Sequence, residues 1–206
     1  MTDGADMGQA FEDDIIRKLW PSDLAMFQEH LLRLDSPSRV SRFAQDVTDG
    51  FLLRYAQTSL NADAHARGVV VFGHFTGGGL RGAAELRPVS RREAEAAFSV
   101  EPVCRGRGIG TALFSSLVVT ARNRKIKRLY MSCLVHNRAM QALARKFEAQ
   151  LVFEAADVLG VLDHDAPSPV SAGGEPSMGP PGFATAILDL QTRWFNLMPK
   201  RTAPHS

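Results

Sequence analysis

Six consecutive residues, Arg105-Gly106-Arg107-Gly108-Ile109-Gly110, place three glycines and two arginines where an alternating strand pattern gives way to a helical one. The first turn of a helix carries backbone N–H groups without partners and a partial positive charge. Glycines there let phosphate oxygens approach the backbone with no Cβ in the way. Arg105 and Arg107 add planar donors of permanent charge. The chemistry served by this combination is the binding of a pyrophosphate. Two common phosphate loops do not fit it. A dinucleotide fingerprint counted from Gly106 needs a third glycine at Thr111 and an acid about 20 residues on, where the chain reads Lys125, Lys127 and Arg128. A P-loop needs Lys and then Ser or Thr after its second glycine, and Gly110 is followed by Thr111-Ala112.

The elements that must hold this turn follow from periodicity. Residues 93–101 alternate, with Ala94, Ala96, Phe98 and Val100 on one face, and predict a strand that runs into it. Ile109, Ala112, Leu113, Leu117 and Thr120 predict the helix that leaves it, over about 109–123. Upstream, the chain predicts a strand over 15–20 and a helix from Ser22 or Asp23 to about Leu34. A second helical stretch runs over Ser38–Gln57, with Asp49-Gly50 as its expected break. Strands over 68–75 and 80–87 flank a hairpin turn at Thr76–Gly79. Downstream come a strand over 126–133, a helix over 137–147, and strands over 150–154 and 157–163. This order predicts an α/β fold, one domain over 13–163 with a mixed central sheet flanked by helices. Residues 1–12 read as a flexible N-terminus. Residues 164–183, with five prolines and four glycines, read as a linker. Over 184–206 an amphipathic helix and tail follow, with Ile187, Leu190, Trp194, Leu197 and Met198 on one face. Packing back on its own domain, a homodimer contact and a membrane surface are the three uses open to that face.

With the strand before it ending Ser99-Val100-Glu101-Pro102, and Asn137 opening a later helix, the turn resembles the signature of the GNAT superfamily of acyl-CoA-dependent N-acyltransferases. Arg105, Gly108 and Gly110 stand at its fixed positions, and the resemblance spans roughly 13–163. It implies a GNAT-like domain that takes acetyl-CoA as acyl donor and uses no metal. By the same resemblance, Phe98, Ser99 and Val100 would pair with the pantetheine arm and Arg105, Gly106, Arg107, Gly108, Ile109 and Gly110 would hold the pyrophosphate. Thr111 would bring its hydroxyl within reach. Asn137 would lie along pantetheine, its plainer reading being a helix N-cap. Glu95 stands where some members place a general base, the alternative being an exposed strand glutamate. A second base position of the family is Ser132 here, and the position of its usual tyrosine acid is Ala144, so the implied acid–base scheme is incomplete. The segment between the first two strands would cover the acceptor and holds Asp35, Arg39, Arg42 and Phe43, with local ion pairing as the plainer use of those charges. Leu31–Phe43 is also similar to acyltransferase domains fused to acyl-CoA synthetases. The implied activity is acetyl transfer to an amine, a small molecule or a protein lysine or N-terminus, by direct attack in a ternary complex. The alternative is a non-catalytic acyl-CoA-binding sensor or regulatory module.

Charge supports an anionic ligand. Among 206 residues with 24 Lys or Arg and 22 Asp or Glu, residues 101–150 hold ten of the bases and two of the acids. The rest of the chain is therefore acidic on balance, and the basic quarter is where the turn lies. Nucleic acid is not expected as a partner, because Arg122–Arg128 is followed by a single aromatic, Tyr130, and suits a helix end. Six scattered histidines and two cysteines, Cys104 and Cys133, show no metal-ligand or disulfide pattern. The acidic start lacks a signal-peptide core and no apolar run is long enough to span a bilayer, so a cytoplasmic protein without a membrane partner is expected.

Overall fold

Two glycines set the first hairpin of the sheet. Gly77 and Gly78 hold φ at +56° and +71°, the left-handed pair that a two-residue hairpin needs. They join β2 (Val70–Thr76) to β3 (Gly79–Pro88), and β3 pairs antiparallel with β4 (Glu93–Val100). In this computed structural model, which describes residues 14–163, β1 (Ile15–Lys18) adds an antiparallel edge to β2. Beyond β4 lie β5 (Arg128–Leu134), β6 (Gln150–Glu154) and β7 (Asp157–Asp163), and the sheet order is β1-β2-β3-β4-β5-β7-β6. Among the described residues, only β4 and β5 run parallel. A parallel pair needs a crossover, and the helix α5 (Ile109–Asn123) supplies it. The expected N-terminus at 1–12, linker at 164–183 and helix with tail at 184–206 lie outside the described residues.

The two faces of the sheet carry different helices. Ala94, Ala96, Phe98 and Val100 of β4 pack with Leu113, Phe114 and Leu117 of α5 in one apolar cluster. Phe114 meets Phe98 edge-on at 5.3 Å and Phe147, at the end of α6 (Arg138–Lys146), at 4.4 Å. The opposite face is covered by α1 (Leu24–Leu32), α2 (Ser36–Phe43) and α3 (Asp49–Leu60), followed by the single-turn α4 (Ala62–Ala66).

The helices over 36–60 do break, but not at the expected Asp49-Gly50. The break falls at 44–48, where Ala44 takes φ +56° and ends α2. Thr48 then caps α3 by accepting from Phe51 N–H at 3.3 Å, so Asp49-Gly50 is the first turn of α3. Gly50 within the first turn of α3 is what made that turn read as a break. Helix α4 and the 3-10 turn Pro102–Cys104 are too short for periodicity to show.

Buried under α2 and α3 is one carboxylate with three partners. Glu85 of β3 accepts from Arg42 Nη2 and Arg87 Nη2, both at 2.6 Å, and from the Tyr55 hydroxyl at 2.8 Å. Burial works against its charge, but Arg87 and Arg42 prevail and hold its pKa below the usual range. Glu85→Ala would leave both guanidinium groups without that partner in a dry site, at an expected cost of about 3–5 kcal/mol. Urea unfolding monitored by circular dichroism measures it, with Glu85→Gln expected to retain part of the stability.

Candidate functional site

Strand β4 is tied to β5 over three positions only, Glu93 with Arg128, Ala94 with Leu129 and Glu95 with Tyr130. Past Glu95 the two strands share no ladder, although β5 stays paired with β7 on its other edge along its whole length. Glu101 N–H bonds Arg81 O at 3.0 Å, which fixes the phase of the β3–β4 ladder. By the alternation of an antiparallel pair, Ser99 turns its backbone to Ala83 on β3. Phe98 and Val100 turn theirs the other way, into the gap left by β5. The Val100 carbonyl there accepts from Arg105 Nε at 3.1 Å.

The gap opens onto the glycine turn. Gly106 and Gly108 have φ of +76° and +82°, a conformation that the turn itself requires. Gly108 is the N-cap of α5 and offers no side chain to its first N–H groups. The first backbone bond of α5 runs from Ala112 N–H to Gly108 O at 3.0 Å. The N–H groups of Ile109, Gly110 and Thr111 precede it and have no acceptor within the helix. A Cβ on Gly110 would project toward Leu143 of α6, 3.9 Å away, and into open space.

Across the gap, Asn137 caps α6 by accepting from Met140 N–H at 3.1 Å, and its Nδ2 donates to Ser41 Oγ of α2 at 3.0 Å. Arg105 Nη2 donates to Ser38 Oγ at 2.6 Å, and the Ser38 hydroxyl bonds Asp35. The Ser38 hydroxyl, with Arg105 nearby, holds the Asp35 carboxyl below its ordinary range. These contacts place α2 over the end of β4 and enclose a cleft of about 720 Å³.

The cleft gathers Phe98, Ser99, Val100, Arg105, Gly106, Gly108, Ile109, Gly110, Thr111 and Asn137 from the expected site. Arg107 is exposed and does not line it. Glu95 does not line it either. It is 8% exposed and occupies the last paired position before the strands part, opposite Arg87 on β3 and Tyr130 on β5. Ala144 is buried, with its methyl turned toward Gly160 of β7, while Ser132 is exposed. Arg39 is paired with Asp49 at 2.7 Å and bonds the carbonyls of Leu32 and Leu34.

Sequence reasoning missed Ser38, Ser41 and the α6 residues Met140, Leu143 and Lys146 as cleft walls. The N-cap pattern at Asp35 was the available signal for where α2 starts. The lining holds Arg42, Arg105, Arg138 and Lys146 and no carboxylate. Its wall along β4 is mostly apolar, and its cations come from α2 (Arg42), the turn (Arg105) and the two ends of α6 (Arg138 and Lys146), which suits a long ligand with an anionic end. Among the described residues, no group of His, Cys, Asp and Glu could hold a metal ion, and no helix is long and apolar enough to cross a membrane.

A family model described as the acetyltransferase (GNAT) family matches residues 29–148. No curated protein matches the sequence. Among solved structures, the chain is similar to the GNAT domain of PAT from S. lividans, with a TM-score of 0.64, 19% identity, and 77% of this chain and 99% of that one covered. It is also similar to a putative acetyltransferase from Salmonella typhimurium solved with its cofactor acetyl-CoA (TM-score 0.59, 17% identity, 82% and 100% covered). A third is the PaiA N-acetyltransferase of Thermoplasma acidophilum in complex with coenzyme A (TM-score 0.57, 16% identity, 74% and 100% covered). At these identities the likeness shows a shared fold.

The turn separates two roles of glycine. Gly108→Ala forces a Cβ onto a left-handed residue and should cost about 1–2 kcal/mol. Gly110→Ala meets no protein atom closer than 3.9 Å and should leave stability unchanged or slightly raised. Thermal unfolding of the two variants side by side measures the contrast.

Proposed function

The chain belongs to the acetyltransferase (GNAT) family, and on that premise we propose that it moves an acetyl group from acetyl-CoA to an amine by direct attack in a ternary complex. The observation that carries this reading is the cleft at the parting of β4 and β5, apolar along the strand, open to the uncapped start of α5 and bordered by cations of the turn and α6.

The residues present fit such a donor. The first-turn N–H groups of α5 and the space over Gly110 suit the pyrophosphate, with Thr111 beside them. The gap-facing backbone of Phe98 and Val100 suits the amides of the pantetheine arm, and Met140 and Leu143 suit its methylenes. When bound, acetyl-CoA supplies an acyl carbon activated as a thioester. A backbone N–H in the gap would polarise the thioester carbonyl as an oxyanion donor. Arg105 braces α2 against the strand end, and the cations nearer α6, Arg138 and Lys146, would meet the remaining phosphate charge.

An amine attacks only when neutral, and Glu95 is the base proposed to take its first proton. It stands at the last paired position before the strands part, in a buried setting. Ala144 removes the phenol that would protonate the leaving thiolate, so any group that serves the sulfur must come from elsewhere in the cleft. The acceptor, a small amine or a protein lysine or N-terminus, would enter on the α2 side, over Ser38, Ser41 and Arg42.

Thiol release from acetyl-CoA over a panel of polyamines, amino acids and lysine or N-terminal peptides tests the reading. Acceptor-dependent release is expected. Coenzyme A binding by calorimetry with no release on any acceptor would favour a non-catalytic acyl-CoA-binding module instead. Glu95→Gln should lower the rate at neutral pH by roughly ten- to a thousandfold and move the acidic limb of the pH profile. An unchanged profile removes Glu95 from the mechanism.

A further inference from the structure

Ser99 lines the cleft, yet its hydroxyl is spoken for from behind. It lies 2.9 Å from His30 Nε2 of α1, and His30 Nδ1 lies 3.2 Å from Glu101 Oε1. Glu101 is gripped in turn by Arg33 Nε at 2.9 Å and Arg81 Nη1 at 3.1 Å. All three members of the row are buried, Ser99 at 8% exposure, His30 at 0% and Glu101 at 3%. Residues 69 and 71 positions apart in the chain thus form a serine–histidine–carboxylate line whose serine end opens to the ligand cleft.

The direction of the hydrogen bonds follows from charge. Burial works against ionising Glu101, but the bonds from His30, Arg33 and Arg81 hold its pKa down to about 2. It is therefore a carboxylate at neutral pH and only accepts. His30 Nδ1 must then carry a hydrogen and donate it. Burial holds the His30 pKa below its ordinary value, against the pull of Glu101 and with the help of Arg33 and Arg81. Glu29, one residue before it on α1, is turned to Arg33 at 3.6 Å. A neutral imidazole protonated at Nδ1 presents a lone pair at Nε2, and Ser99 Oγ donates into it. The lone pairs of Ser99 Oγ are then free to accept a proton from a group in the cleft.

On the proposed acetyl transfer, we infer that Ser99, backed by His30 and Glu101, is the proton relay that completes the reaction on the acceptor nitrogen. An ammonium loses two protons in becoming an amide, and Glu95 is assigned the first. The second is lost as the C–N bond forms and the C–S bond breaks, with the electron pair of the latter going to sulfur. Ser99 Oγ takes that proton from nitrogen while its own hydrogen passes to His30 Nε2, and Glu101 steadies the imidazolium. The hydrogen then returns from Nε2 to Ser99, whose hydroxyl protonates the departing sulfur, so that the thiol leaves and the row is restored. The relay answers the missing phenol at Ala144 with a hydroxyl from the other wall of the cleft. Ser99 is the residue that touches the reacting groups; His30 and Glu101 are positioning residues that act through it.

The full-length protein with acetyl-CoA provides two independent readouts. Nitrogen NMR of histidine-labelled protein, with the His30 signals assigned by His30→Gln, reports the tautomer without any acceptor. A neutral ring protonated at Nδ1 at pH 7 is expected; an imidazolium, or a ring protonated at Nε2, overturns the relay whether or not an amine is ever acetylated. Absence of turnover in the unaltered protein would count against the transferase reading, and the tautomer would still decide the relay. With an amine that turns over, Ser99→Ala and Glu101→Gln should each lower kcat roughly ten- to a thousandfold at neutral pH, leave the KM for acetyl-CoA unchanged and displace the pH profile. Ser99→Thr should restore most of the rate. A loss that is the same at every pH, that falls on the acetyl-CoA KM, or that threonine does not rescue marks a structural role and overturns the inference.

Discussion

A parallel ladder three residues long governs the architecture around the cleft. Glu93, Ala94 and Glu95 hold β4 to one edge of β5, and past them that ladder ends while the other edge of β5 stays paired with β7. A strand that loses one neighbour must satisfy its backbone groups elsewhere. Here the turn folds back, and Arg105 occupies one of them at the Val100 carbonyl. The same parting puts the end of β4, the start of α5 and the start of α6 around one space. Had the β4–β5 pairing continued, no cleft would separate them.

The sheet's second face answers this opening with charge. Two buried carboxylates, Glu85 and Glu101, each hold two arginines. Buried ion pairs add little net stability, since the loss of water offsets most of the attraction. Their use here is geometric. Glu85 fixes α2 and α3 to β3 through Arg42 and Tyr55, and Glu101 fixes α1 to the ends of β3 and β4 through Arg33 and Arg81. The wall that an acceptor would meet is therefore rigid from below. Apolar packing by α5 covers the other face and keeps the turn in place.

Much of this fold was legible from periodicity. The helix over 109–123 and the strands over 150–154 and 157–163 lie where the sequence put them, because the helix repeats its apolar stripe and each strand is a short apolar run bounded by polar residues. The turn at Arg105–Gly110 was legible because three glycines and two arginines at a strand–helix junction have few other uses. The interior of 36–60 was not, since a capping Thr48 beside Gly50 looks like a loop until α2 is seen to end at Ala44. Arg107 illustrates the limit within the turn itself. Its type and position matched its neighbour Arg105, but the left-handed glycines on either side turn the chain, and it is exposed away from the cleft lining.

The sequence by itself determined the element order, the glycine-rich helix entry and the concentration of positive charge around it. Those are local properties, set by side-chain type and by spacing within a few turns. Tertiary structure alone decided which wall faces the cleft and what stands behind it. Ser38 and Ser41 reach Arg105 and Asn137 across 67 and 96 positions of chain, and His30 meets Ser99 across 69. No periodicity encodes such meetings. They arise because α1 and α2 pack on the sheet face opposite α5, and because a one-residue step along β4 turns one backbone to the gap and the next to β3.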